Sequence, residues 1–302
     1  MGFLSGVFLF LSLLLGGSQR LQARLVESSS PYLTGDTFRS MCDHYFDEVS
    51  SSFHPDVIRP GDCIFVKTDM LKEFFEQKHP YIQAPYIIIS HNSDDPAPGA
   101  CADFLDDPKI IAWFGQNIEM VHSKLHPIPI GIDNKMYNYN TFWLLDHYQE
   151  LKDKTPKEHL LYMNFNISTK PDERGAAHRY FSRTLFCTIP RVQRPWKDYL
   201  FDLVKSRFVV SPRGNGWDCL RTWESLYMGA FPIVKRSCMD EMFEGLPVVI
   251  IDDWEEVTEE FLNKKWEEFQ NTSFQLERMY FPYWEAKIGR YRLEARKAAE
   301  CL

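Results

Sequence analysis

The stretch SRFVVSPRGNGWDCLRTWESLYMGAFPIV, Ser206 to Val234, decides how this chain is read. Phe208 to Ser211 ends a short apolar run that suits a buried strand. Pro212-Arg213-Gly214-Asn215-Gly216 follows as a tight polar loop. Glycine there permits positive φ and lets backbone amides come close to a ligand. Asp218 is a good N-cap for a helix expected over Asp218–Met228. Leu220, Trp223 and Tyr227 fall on one face of that helix and should turn toward a sheet. Gly229 suits its C-cap, and Pro232 enters the next strand. Such a helix start carries free amides and partial positive charge, which together seat an anion. Arg213 and Arg221 are within reach of a diphosphate there, at roughly 1.5–3 kcal/mol for each charge-assisted hydrogen bond. Glu224 could accept both hydroxyls of a ribose. Two plainer readings stand beside this one. Arg221 and Glu224 are spaced to pair on a solvated helix face, and the glycines could serve only the turn.

The same alternation extends outward. Strands are expected at Asp62–Lys67, Tyr86–Ser90, Ile110–Phe114 and His126–Ile132, with a helix over Met70–Gln77. After a helix around Phe142–Leu151 and the polar connector Lys152–Pro156, the alternation restarts. Strands are expected at Leu160–Met163 and Val248–Ile251, and helices over Asp172–Phe186, Val257–Phe269 and Tyr283–Ala299. Continuous apolar strands separated by helices indicate parallel sheets covered on both faces. At 302 residues the chain exceeds one compact domain; two α/β units of roughly 130–150 residues fit it. The expected division is residues 1–23, then an N-terminal domain over 24–156 and a C-terminal domain over 157–302. Residues 30–60 read as irregular.

The central stretch closely resembles the donor-binding segment of exostosin-like glycosyltransferases and, more loosely, that of α-fucosyltransferase-type enzymes. The matching pieces are Ser211-Pro-Arg-Gly-Asn-Gly216, Arg221, Trp223-Glu224 and Gly229-Ala-Phe-Pro-Ile-Val234, followed by Leu246–Trp254. In the first half only the β/α rhythm, Ile88–Asp94 and Pro127–Gly131 match. The resemblance implies a GT-B fold, two Rossmann-like domains facing across a cleft. It further implies a nucleotide-sugar donor on the C-terminal side and a glycan or glycoprotein acceptor on the N-terminal side. The donor-binding set it implies is Ser211, Arg213, Gly214, Asn215, Gly216, Arg221 and Glu224. Asn164–Thr169 resembles the first βα turn of a donor domain, with Arg174 either on a phosphate or simply exposed on its helix.

A base is needed to take the proton of an acceptor hydroxyl in an inverting transfer, and His or Asp suits. His91, Asp94 and Asp95 follow a strong strand and are the catalytic candidates. The plainer reading is an ordinary turn. Gln116 and Asn117 could bind sugar hydroxyls or merely end a strand. Asp252-Asp253 is weak evidence for a divalent ion, and no tightly bound cofactor or metal is expected. The alternative to an enzyme is a non-catalytic luminal protein that binds nucleotide sugar or glycan on the same fold.

The formal charge of -8 makes nucleic acid a poor partner. The apolar run Phe3–Leu15 is short of the ~20 residues of a membrane span. It suits a signal peptide cleaved after Ser18 or Ala23, or else a short anchor. Asn166-Ile-Ser168 and Asn271-Thr-Ser273 are glycosylation sequons. A secretory-pathway lumen (Golgi or ER) or secretion is the expected location. The seven cysteines include no CxxC pair, which speaks against a zinc knuckle.

Overall fold

The computed structural model describes residues 27–50, 52–135, 137 and 141–300. The signal-peptide or anchor expectation over 1–23 lies outside them, as does Cys301. The strands are β1 (His44–Phe46), β2 (Cys63–Lys67), β3 (Tyr86–His91), β4 (Ile110–Gly115), β5 (Leu125–Pro127), β6 (His159–Tyr162), β7 (Cys187–Thr188), β8 (Ser206–Val210), β9 (Phe231–Lys235) and β10 (Val249–Ile251). The helices are α1 (Gly35–Ser40), α2 (Leu71–Gln77), α3 (Thr141–Lys152), α4 (Pro171–Phe181), α5 (Trp196–Val204), α6 (Leu220–Tyr227), α7 (Asp240–Phe243), α8 (Glu259–Gln270) and α9 (Phe281–Glu300). The chain is α/β. It builds two parallel five-stranded sheets, ordered β1-β2-β3-β4-β5 and β10-β9-β8-β6-β7.

Local sequence explains most of these elements. All six residues of β3, Tyr-Ile-Ile-Ile-Ser-His, are buried, as a strand covered on both faces requires. Gly229 at φ 70° closes α6. The Ala230 amide donates to the Ser225 carbonyl and the Gly229 amide to that of Leu226, the paired C-terminal bonds of a glycine-capped helix.

The two sheets differ in one decisive way. In the second, the chain order reverses between β6 and β8, which pair directly. Loops at the carboxyl ends of strands diverge at such a reversal and leave a crevice there. The first sheet runs in simple sequence order among the described residues. Right-handed crossovers then all fall on one face, and its other face must be covered from elsewhere.

The C-terminal helix supplies that cover. Adjacent strand residues point to opposite faces. Trp113 of β4 meets Phe75 of α2 with ring centroids 5.3 Å apart, while its neighbour Phe114 meets Tyr291 of α9, also at 5.3 Å. Phe38 of α1 packs edge-on against Phe281 and Trp284 of the same helix. Residues 281–300, placed by the sequence with the C-terminal unit, thus complete the N-terminal core. The region read as irregular holds α1 and β1. Three further elements have no counterpart in the sequence expectations: β7, α5 and α7.

Trp284 is fully buried, and its Nε1 donates to the Arg278 carbonyl at 2.8 Å. Replacing Trp284 by Ala should cost about 3–5 kcal/mol of stability. Urea unfolding followed by near-ultraviolet circular dichroism reads this; an unchanged midpoint would mean that α9 is not part of the N-terminal core.

Candidate functional site

The loop after β8 is held by close contacts rather than by unusual backbone angles. A Cβ on Gly214 would lie 2.8 Å from Arg174 Nη2, and one on Gly216 would lie 2.1 Å from Asn117 Nδ2. Neither glycine has positive φ, so that part of the expected reason is corrected. They are glycines because other side chains occupy the space.

Asp218 is also corrected. The helix starts at Leu220 with Cys219 at the cap position and no side-chain capping bond. The Asp218 carboxylate instead accepts from the Ile130 amide at 2.8 Å, from Trp223 Nε1 at 2.7 Å and from the Cys219 amide at 2.8 Å. The Asp218 amide donates to Asn117 Oδ1 at 3.0 Å. The glycine loop is thereby fastened to the loops that follow β4 and β5. Burial pushes the Asp218 carboxyl up to about 7.

The arginines separate into two roles. Arg174 is buried, not exposed on its helix. Its Nε donates to the Arg213 carbonyl and its Nη1 to the Asn166 carbonyl, both at 2.9 Å. Arg221 Nε donates to the Asn164 carbonyl at 3.1 Å, while its Nη1 is buried without a partner. Both guanidinium groups approach the Phe165 ring, at 5.9 and 5.3 Å. Burial, and then the charge of Arg221, lowers the pKa of Arg174. Neither arginine has a carboxylate ion-pair partner among the described residues. Arg213 lies over the Trp217 ring at 3.7 Å and donates to the Asn215 carbonyl. Its place is in the loop's own framework.

A cavity of about 710 Å³ opens at the β6/β8 reversal, and its lining includes Asn164, Arg174, Gly214, Asn215, Gly216, Arg221 and Glu224. Arg213 and Ser211 are not on it. Ser211 is buried behind the loop, its Oγ 2.9 Å from Thr222 Oγ1. Glu224 is buried and forms no ion pair with Arg221, so the solvated-pair reading fails. It accepts from Tyr199 Oη at 2.9 Å and, more distantly, from Trp196 Nε1 at 3.5 Å. Both donors sit on α5. Burial raises the Glu224 carboxyl.

A second cavity, about 570 Å³, is lined by the loops after β3, β4 and β5 together with α1. The two cavities share Asp94, Ile130, Asp133 and Leu220. The exposed Asp94 carboxylate accepts from Asn215 Nδ2 at 2.8 Å. Asp95 is exposed and lines neither cavity. His91 is buried, its Nε2 3.0 Å from the Pro129 carbonyl and its Nδ1 accepting from the Asn92 amide at 2.7 Å. With its Nε2 proton on that carbonyl the ring has no free lone pair, and burial pulls its pKa down to about 4. Gln116 lines this second cavity and Asn117 serves the inter-loop bond described above. Asp252 and Asp253 stand outside both cavities and pair with Arg236 and Lys235.

Two carboxylates stand out that the sequence reading did not name. Asp133, at the junction, has no hydrogen-bond partner among the described residues, and burial raises its carboxyl. Asp36 is 4% exposed, with Oδ1 accepting from Asn92 Nδ2 at 3.2 Å and Oδ2 unpartnered. Pro129-Ile130-Gly131 just before Asp133, and Thr34 capping α1, were the only local signals near them.

No protein-family model and no curated protein matches this chain. The site's own electrostatics give a direct check. With the folded carboxyl of Asp218 near 7 and an unfolded Asp near 3.9, the native state holds a proton that the unfolded chain has lost. That contribution is full below about pH 4 and is lost as pH rises through about 7. Asp218→Asn lacks it. Unfolding free energies of the two proteins, measured in urea from pH 4 to pH 8, should diverge by a few kcal/mol, the wild type losing ground as pH rises; parallel curves would remove the buried-acid assignment.

Proposed function

We propose that the chain transfers a sugar from a nucleotide-sugar donor to an acceptor hydroxyl, with two Rossmann-like halves in a GT-B arrangement. The observation that carries this reading is Arg174 with Arg221. Two guanidinium groups sit together, one buried and one with a buried unpartnered nitrogen, and no carboxylate among the described residues pairs with either. Charge buried without a counter-ion is costly. A diphosphate would pair both cations, aided by the amides of the glycine loop and the start of α6. Glu224, oriented by Tyr199, would accept from the ribose hydroxyls. The exostosin-like resemblance of Ser206–Trp254 agrees with this placement.

In the transfer step, a carboxylate at the junction takes the proton of the acceptor hydroxyl. The acceptor oxygen bonds to the anomeric carbon as the bond from that carbon to the phosphate oxygen breaks. The electron pair leaves with the diphosphate, whose growing charge Arg174 and Arg221 stabilise. Asp133 fits the base role best, since its carboxylate has no hydrogen-bond partner among the described residues and burial raises its pKa. Asp94 is second, because it already accepts from Asn215. His91 acts by holding Asn92 and the Pro129 carbonyl in place. The apolar N-terminal run and the exposed Asn166 and Asn271 support a secretory-pathway lumen as the location.

Arg174→Ala and Arg221→Ala should each weaken nucleoside-diphosphate binding by roughly 10–100-fold, as measured by calorimetry. Undiminished binding in the double variant would refute the donor site. Asp133→Asn should lower turnover by about 10²–10⁴ with donor affinity kept, read in a panel of nucleotide sugars with glycan acceptors. Donor binding without consumption in the wild type would identify a non-catalytic sugar-nucleotide-binding protein instead.

A further inference from the structure

The second cavity shares Asp94 and Asp133 with the first but lacks its unpaired guanidinium groups, and it adds Asp36. Its two basic side chains are already neutralised. Arg39 Nε pairs with Asp47 at 2.6 Å and its guanidinium lies over the Tyr45 ring at 4.0 Å. Lys67 pairs with Glu48 at 3.3 Å and with Asp69 at 3.1 Å. Three carboxylates on the lining remain without a cation: Asp36, Asp94 and Asp133. Acidic side chains alone would say little, but Asp36 adds an independent fact. It is 96% removed from solvent and its Oδ2 has no donor among the described residues. A buried acceptor left unmatched in this way calls for a donor from a ligand. Sugar hydroxyls and amines can donate to it; a carboxylate or sulfate cannot.

We propose that this cavity takes the acceptor as a hydroxyl-rich, non-anionic glycan, uncharged or amine-bearing, and excludes uronates and sulfated sugars. The name acceptor rests on the glycosyl-transfer reading; the charge selectivity of the cavity does not. Asp36 donates no proton and takes none in the transfer. It is a specificity residue, placed by the Asn134 side chain, whose Oδ1 accepts from the Asp36 amide at 2.9 Å, and by Asn92.

Calorimetric titration of the full chain with three trisaccharides of equal length tests this: one neutral, one amine-bearing, one carrying a uronate. The uronate should bind at least about tenfold more weakly than the neutral sugar at low ionic strength, and added salt should narrow the gap. Asp36→Asn should reduce the discrimination, and Asp133→Asn provides the same readout should the first variant fold poorly. Equal or tighter binding of the uronate, or no binding of any of the three, would overturn the proposal. Titration of the same protein with UDP and GDP reads the donor site separately. Loss of that binding beside retained sugar discrimination would sink the transferase reading and leave this cavity's selectivity standing.

Discussion

The Asp218 carboxylate is the point on which the site depends. It is buried and gathers the Ile130 amide, the Trp223 indole and the Cys219 amide, while its own amide reaches Asn117. The donors come from the loops after β5 and β8 and from α6, and the acceptor Asn117 from the loop after β4. A buried carboxylate is tolerable only when its lone pairs are met by well-aimed donors. The geometry that satisfies it therefore fixes where the glycine loop lies. That in turn sets Arg221 beside Arg174 and brings Asp133 to the edge of the same space.

The cavities differ in the state of their cations. On one side two guanidinium groups share Phe165 and backbone carbonyls, with no carboxylate at ion-pair distance among the described residues. On the other, Arg39 and Lys67 are paired, and Asp36 has no cation partner among the described residues. Leu220 and Ile130 lie at the boundary with Asp94 and Asp133. An anion on the first side and a polyol on the second would each meet the field that suits it. Their reacting atoms would meet beside a carboxylate.

The route of the chain follows from strand order. The reversal at β6 and β8 opens a crevice at strand ends. The first sheet lacks such a reversal and leaves a face uncovered, so α9 returns from the far end of the sequence to close it. The main core is consequently continuous from Phe38 and Trp113 through Tyr227 to Trp284, while Leu161, Phe208 and Val249 form a smaller core on the outer face of the second sheet. This connection of distant segments explains why the last helix matters to the first sheet.

The parallel strands, the glycine loop, the helix with Arg221 and Glu224 on it, and the cap at Gly229 were legible in the sequence. Each is set by neighbours within about one turn or one strand, where periodicity and backbone preference act. For Arg174 the reading as exposed on its helix fails, since its burial comes from the loop at Gly214 rather than from its own helix. Trp196 and Tyr199 carried no local signature, and beside Asp36 and Asp133 stood only Thr34 and Pro129–Gly131. Asp133 becomes special only where loops after three strands converge, and Tyr199 only where α5 lies against α6. Spacing along the chain encodes which face a residue takes; it does not encode which distant group will stand opposite. That second choice belongs to packing, because burial and the matching of polar groups are settled only when separate segments close around the same space.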